Sequence, residues 1–210
     1  MYLPPVFTEN DASFVTRFVD EHPLATVIVH TRDDIQVDHL PVLRTSPLVS
    51  GGRLIAHVAK SNSLWKSLQN GASAVLVFSG AGAYISPSLY PSKAKTHEVV
   101  PTWNYIAVHL HGRLSCTHDD AEKRAIVEAL TTKMEARRRE PWKVSDAPAP
   151  YIDKMLSELV GLTFEISTII AKRKASQNRT AEDRQGVIAG LSAQPGSEEA
   201  ASAAARESAR

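Results

Sequence analysis

TWNYIAVHLHGRLSC, residues 102–116, is the stretch on which the fold turns. In an extended chain Asn104, Ile106, Val108 and Leu110 share one face, while Trp103, Tyr105, Ala107, His109 and His111 share the other, because strand side chains alternate with period two. The first face is the more apolar and is expected to look into the core. Upstream, ASAVLVFS (residues 72–79) is apolar on both faces, as a central strand is. Gly80-Ala81-Gly82 then permits a bend or bulge before a short strand over 83–86. Further out, LATVIVH (24–30), a turn at 31–34 and a second run over 35–43 read as a hairpin. Pro41 cannot donate to a ladder, which puts that second run at an edge or a bulge. Residues 53–58 and 162–171 complete the strands.

Helical spacing fills the gaps. Residues 8–21 carry Phe14, Val15, Phe18 and Val19 on one face, with Thr8 or Asn10 as cap; residues 61–69 carry Leu64, Trp65 and Leu68, with Ser61 or Ser63 as cap. Residues 119–138, 149–159 and 180–191 are further helices, the first with Ile126, Leu130 and Met134 in register behind an acidic first turn. Residues 87–99 read as a polar loop. Strands that follow one another without helices between them pair antiparallel, and a doubly wound parallel sheet would need a helix after nearly every strand. The expected class is α+β, mainly antiparallel, a barrel or sandwich with peripheral helices.

Composition narrows the function. With 210 residues, 43% hydrophobic, the chain makes one domain able to bury a core without metal or disulfide staples. Lys+Arg 24 against Asp+Glu 23 gives a net charge of +1, which removes the electrostatic argument for a dedicated nucleic-acid binder. Apolar runs fall short of the roughly 18 residues of a membrane helix, and the N-terminus lacks signal-peptide features. The single cysteine, Cys116, suits a reducing, cytoplasmic setting. Residues 192–210 carry no large apolar side chain and are expected to form a mobile tail beyond a domain over 1–191.

Several catalytic motifs are missing from the sequence: a complete G-x-G-x-x-G, a P-loop, C-x-x-C, H-E-x-x-H and a glycine-framed serine. No catalytic residue and no metal set is therefore assigned. His109-x-His111 puts two imidazoles on one strand face, but further ligands are not at hand. Four clusters remain. In His57-Val58-Ala59-Lys60-Ser61-Asn62 a strand runs into a helix start, an arrangement for binding an anion such as a phosphate or for an ordinary cap. The loop from Tyr84 to Lys93 offers hydroxyls and rings; Val100-Pro101-Thr102-Trp103-Asn104-Tyr105 brings large aromatics into a strand; Lys172 to Arg179 is basic and amide-rich, a solvated loop or a site for an anion or nucleic acid.

Together with His22-Pro23-Leu24-Ala25-Thr26 and Asp38-His39-Leu40-Pro41, these clusters, in this order, resemble the PaiB-type FMN-binding negative transcriptional regulators from residue 1 to about 191. The resemblance implies a split β-barrel with peripheral helices, related to pyridoxamine-phosphate oxidases and flavin reductases. It also implies a homodimer with FMN at the subunit interface and a role in repressing transcription. Carried onto this sequence, Lys60, Ser61 and Asn62, with His57 beside them, would meet the FMN phosphate. Tyr84, Ser86, Trp103 and Asn104 would line the ring or ribityl region, and Lys174 and Gln177 would supply a cation and an amide. An FMN-dependent oxidoreductase, or a haem protein using His57, His109 or His111, are the alternatives. DNA is a possible partner, though the helices at 119–138 and 149–159 are too far apart for a helix-turn-helix.

Overall fold

The structure is a computed structural model that describes residues 1–31 and 34–194, together with 196, 201 and 205. Arg32 and Asp33 of the expected turn lie outside the described residues, as does most of the expected tail. Ala201 in that tail is described and is buried against Val187 and Leu191.

Among the described residues there are five α-helices: α1 (Ala12–Glu21), α2 (Lys93–Thr96), α3 (Asp120–Glu135), α4 (Ala149–Ser157) and α5 (Ala181–Ser192). The strands are β1 (Leu24–His30), β2 (Ile35–Pro41), β3 (Leu43–Arg44), β4 (Arg53–Ala59), β5 (Ala72–Ser79), β6 (Ala83–Ile85), β7 (Thr102–Thr117) and β8 (Leu159–Lys174). Their order is β2-β1-β5-β7-β8-β4-β3, with β6 paired to β7 off that path. The pairings β1 with β2 and β5, β4 with β3 and β8, and β6 with β7 are antiparallel. The sheet is unclosed and mostly antiparallel, as the order of strands in the sequence implied.

The proline-bearing β2 lies at one end of the strand order. The single run expected over 35–43 is two strands, because the chain changes partner at Val42: that residue donates its N–H to Pro23 O at 2.8 Å, and Leu43–Arg44 then pairs with β4. Asp11, not Thr8 or Asn10, caps α1, its Oδ1 accepting from Ser13 N and Phe14 N at 2.9 and 3.1 Å. The expected helix over 61–69 is a five-residue 3₁₀ turn, Leu64–Leu68, whose two leucines are buried. The predicted loop over 87–99 holds a 3₁₀ turn, Pro87–Leu89, and the one-turn α2. β8 runs past the expected 162–171 at both ends: Leu159 to Gly161 pair with β4, and the basic residues 172–174 find partners instead of solvent.

The chain forms two compact units. One comprises Met1–Val15, Ser79–Val108 and Ile170–Arg210; the other comprises Thr16–Phe78 and His109–Ile169. In the first, Ile85, Tyr90, Val187 and Leu191 form a core beneath β6 and α5. In the second, Val27, Leu54, Leu76, Leu162 and Phe164 are buried among the strands. A smaller cluster there packs Val144, Ile152 and Leu156 against Val127 of α3 and Leu159.

Candidate functional site

In the unit that contains β6, the register pairs Ala83 with Asn104, Tyr84 with Trp103, and Ile85 with Thr102. Opposed residues in an antiparallel pair share a face. Ala83 and Asn104 are therefore buried together, while Tyr84 and Trp103, 49% and 56% exposed, stand out on the other side. Their ring centroids are 6.0 Å apart at 66°, an edge-to-face contact. Ser86 closes the strand as a cap: its Oγ accepts from Ser88 N at 3.2 Å and lies 2.8 Å from Ser88 Oγ. The loop is tethered to α5 by Ser92, whose N–H and hydroxyl donate to the two carboxylate oxygens of Asp183 at 3.0 and 2.8 Å. Burial opposes ionisation of Asp183, but hydrogen bonds from Ser92 and Thr180, with Arg179 nearby, outweigh it and hold the carboxyl below its ordinary range.

Behind this hairpin, Asn104 Nδ2 donates to Ser176 Oγ at 2.9 Å, both residues being buried. Ser176 has φ of 63°, a left-handed turn at a residue other than glycine. Gln177 locks that turn: its Oε1 accepts from Ala175 N at 2.7 Å and its Nε2 donates to Arg173 O. Lys174 Nζ donates to the Trp103 carbonyl at 2.7 Å and to Thr102 Oγ1. Burial lowers the Lys174 pKa, and Lys172 and Arg179 lower it further. The ammonium thus sits against the backbone that carries the exposed aromatic pair.

In the other unit, β4 ends at Ala59 and Lys60 and Ser61 are exposed. The turn is held by Lys60 N donating to Glu158 O at 2.7 Å and by Trp65 Nε1 donating to Lys60 O at 2.9 Å. Lys60 Nζ reaches Ser157 O at 3.4 Å. Asn62 Oδ1 accepts from Leu64 N at 2.8 Å and Nδ2 donates to Asp38 Oδ1 at 3.1 Å, so its side chain is committed to the turn. A 3₁₀ turn follows where an α-helix was expected, and so short an element offers little of the helix-start field that the anion argument used. His57 faces Gly161 across the β4–β8 ladder. A Cβ at Gly161 would come within 2.7 Å of Thr117 Cγ2 and 2.8 Å of Ile126 Cδ1, so α3 covers that face. Burial lowers the His57 pKa, and its Nδ1 is buried without a hydrogen-bond partner. On β7, His109 and His111 have ring centroids 6.4 Å apart; burial lowers the pKa of His109, and His111 Nε2 is buried and unpartnered. No group of three or more His, Cys, Asp or Glu that could hold a metal occurs among the described residues.

The candidate residues thus divide. Tyr84, Trp103, Lys60 and Ser61 present surface, whereas Asn62, Ser86, Asn104 and Gln177 hold turns. Arg179, which the sequence reading left unassigned, acts electrostatically on Lys174 and lies 4.7 Å over the ring of Tyr90; their signal was the basic run after β8 and the tyrosine-rich loop.

Residues 1–168 match the family described as "Putative FMN-binding domain". The protease synthase and sporulation protein PAI 2 of Bacillus subtilis is 31% identical over 191 residues, 90% of this chain and 87% of that protein. An uncharacterized protein of Emericella nidulans is 28% identical, covering 91% and 90%. Among solved structures, an FAD and heme binding protein from Mycobacterium smegmatis shares the fold with a TM-score of 0.59 at 17% identity, covering 80% of this chain and 73% of that one. The flavocytochrome Anf3 from Azotobacter vinelandii does so with 0.56 at 19%, covering 80% and 69%. The sheet with its peripheral helices is of the split-barrel class, and the chain belongs to the PaiB-type FMN-binding domain family.

Proposed function

We propose that this protein binds FMN as a homodimer and acts in the cytoplasm as a PaiB-like regulator of transcription. The observation that carries the flavin reading is the Tyr84–Trp103 pair, two exposed rings on one face of the β6–β7 hairpin. Such a surface suits one side of a planar heteroaromatic ring. Lys174 at the Trp103 carbonyl places a cation nearby, which would favour an anionic reduced ring. Flavin, when bound, supplies one- and two-electron transfer. Within the unit that contains β6, the chain's own part is to stack and orient it through Tyr84 and Trp103, with Ser86, Asn104 and Gln177 kept in the turns they hold. A fluorescence titration with FMN tests this: Tyr84→Ala with Trp103→Ala should weaken binding by about tenfold or more. Unaltered affinity in that variant overturns the ring assignment, and no FMN binding by the native chain overturns the cofactor.

The dimer is supported by Leu24, Ile35 and Val37, apolar and exposed on one face of β1 and β2; light scattering tests it. The cytoplasmic setting rests on the free thiol of Cys116. The regulatory role rests on the resemblance to the PaiB-type regulators set out above, and a mobility-shift assay with promoter DNA tests it. Haem is a second reading, favoured by the buried, unpartnered His111 Nε2 beside His109. A Soret band on adding haem, lost in His111→Ala, supports it.

A further inference from the structure

The loop that joins α3 to α4 carries cations with no part in flavin binding. Arg137, Arg138 and Arg139 follow Ala136, the C-cap of α3, and all three are exposed. Among the described residues no side-chain hydrogen bond or ion pair engages them. They are therefore not spent on the last carbonyls of α3, where cations at a helix end commonly go. The loop is nevertheless fixed. Arg138 N donates to Glu135 O at 2.8 Å and Trp142 N donates to Glu135 Oε2 at 3.2 Å, so the chain closes back onto the last residue of α3. Just beyond, Lys143 N donates to Asp146 Oδ2 at 2.9 Å, and Val144 is buried in a cluster with Ile152 and Leu156 of α4. Between these anchors the Trp142 side chain stays 46% exposed.

Neighbouring acids do not cancel these charges. Over residues 133–146 the cations are Lys133, Arg137, Arg138, Arg139 and Lys143, and the acids are Glu135, Glu140 and Asp146, which leaves two positive charges in excess. Glu135 and Asp146 already accept from the backbone N–H groups of Trp142 and Lys143. On α4, Asp153 pairs with Arg124 at 2.6 Å, and Lys154 adds another exposed cation. The next acid upstream, Glu128, lies about two helical turns before Glu135.

We propose that the loop over 137–143 is a DNA-binding surface, its arginines contacting the phosphates of a duplex and Trp142 packing on the sugars and bases beside them. A guanidinium fork binds two phosphate oxygens at once, and an exposed indole supplies the apolar contact that a bare cation lacks. A net charge of only +1 for the chain is compatible with this, because phosphate contacts depend on cations gathered in one place. A lipid surface is the poorer match: Ile126 and Leu130 of α3 and Ile152 and Leu156 of α4 are buried, so neither helix has its apolar stripe free to enter a bilayer. The choice of DNA among polyphosphates rests on the regulatory function proposed above; the affinity for phosphate does not.

The test is the fluorescence anisotropy of a short labelled duplex of mixed sequence, titrated with the full chain at several salt concentrations. Three phosphate contacts give a slope of log K against log salt of about −2.7, so binding should weaken about 40-fold between roughly 50 and 200 mM salt. Each of Arg137→Gln, Arg138→Gln and Arg139→Gln should take about one from that slope, and the triple variant should abolish binding. Trp142→Ala should weaken binding about tenfold and leave the slope as it is. The arginine variants should keep the native melting temperature and the native response to FMN, since Tyr84 and Trp103 belong to the other unit. A native chain that ignores the duplex at low salt overturns the proposal, and so does binding that survives in the triple variant. Capture of phosphatidylserine vesicles or of polyglutamate through these arginines, in place of the duplex, overturns it too. If the duplex binds through the arginines but promoter DNA is not preferred in the mobility-shift assay, the regulatory reading fails and the surface stands. If promoter DNA is shifted equally by the native chain and the triple variant, the surface fails and the regulatory reading stands. Should the triple variant fail to fold, the single variants carry the same comparison.

Discussion

Removing one partner of the Glu9–Arg173 pair should be among the most damaging single changes in this chain. The two side chains are 2% and 4% exposed, with Nε and Oε2 at 2.8 Å. Glu9 also accepts from Asp11 N at 2.8 Å through Oε1, and its own N–H donates to Ala171 O at 3.0 Å. The Arg173 guanidinium stacks 4.9 Å from the Phe14 centroid. The pair therefore fastens the N-terminal segment to the end of β8. Glu9→Gln keeps the shape and an acceptor for Asp11 but removes the carboxylate charge that faces the buried Arg173 guanidinium, which costs about 3–5 kcal/mol. Glu9→Ala also removes the side-chain acceptor of the Asp11 N–H beside the α1 cap and should fall at the upper end of that range. For a chain of this size the loss translates to roughly 6–20 °C in melting temperature. Urea unfolding followed by circular dichroism measures it. The double variant Glu9→Leu with Arg173→Met, which removes both charges, should recover most of the stability. Raising the salt should change little, because a buried pair is poorly screened. A Glu9→Gln protein within 1 kcal/mol of the native one would refute the reasoning.

Three further outcomes are expected. Burial holds the pKa of both His57 and His109 below the ordinary 6.5, so the folded state keeps them neutral while the unfolded chain takes up protons. Their contribution is fully present above about pH 6.5 and is lost as pH falls through the lowered folded values; urea midpoints that rise on acidification across that window would contradict this. A Cβ at Gly112 would lie 2.0 Å from Glu165 O and 2.7 Å from Phe164 Cζ, so Gly112→Ala should cost at least about 3 kcal/mol, read from its thermal melt. Burial raises the Cys116 thiol above its ordinary value, and its reaction with a disulfide reagent at mildly alkaline pH should be about tenfold slower folded than in urea; equal rates would place the thiol at the surface.

The alternation over 102–116 picked out a buried face, Asn104, Ile106, Val108 and Leu110, although Ala107 on the opposite face is buried as well. The adjacency of the strands specified an antiparallel sheet, and Pro41 narrowed β2 to an edge or a bulge, because each depends on near neighbours along the chain; the strand order makes it an end strand. The pattern could not tell a cap from a ligand. Asn62, Asn104 and Gln177 are all amides in polar stretches, and only the positions of Asp38, Ser176 and Ala175 reveal that they hold turns. Composition also made the run from Lys172 to Arg179 look like solvent-facing loop. Its burial depends on Glu9, Tyr2, Tyr105 and Tyr90, and on Phe7 and Phe14, residues distant in sequence whose ring faces and carboxylate accept those charges. Local period fixes which way a side chain points; whether a charge at that point is solvated, paired or set against a ring face is decided by what the rest of the chain brings beside it.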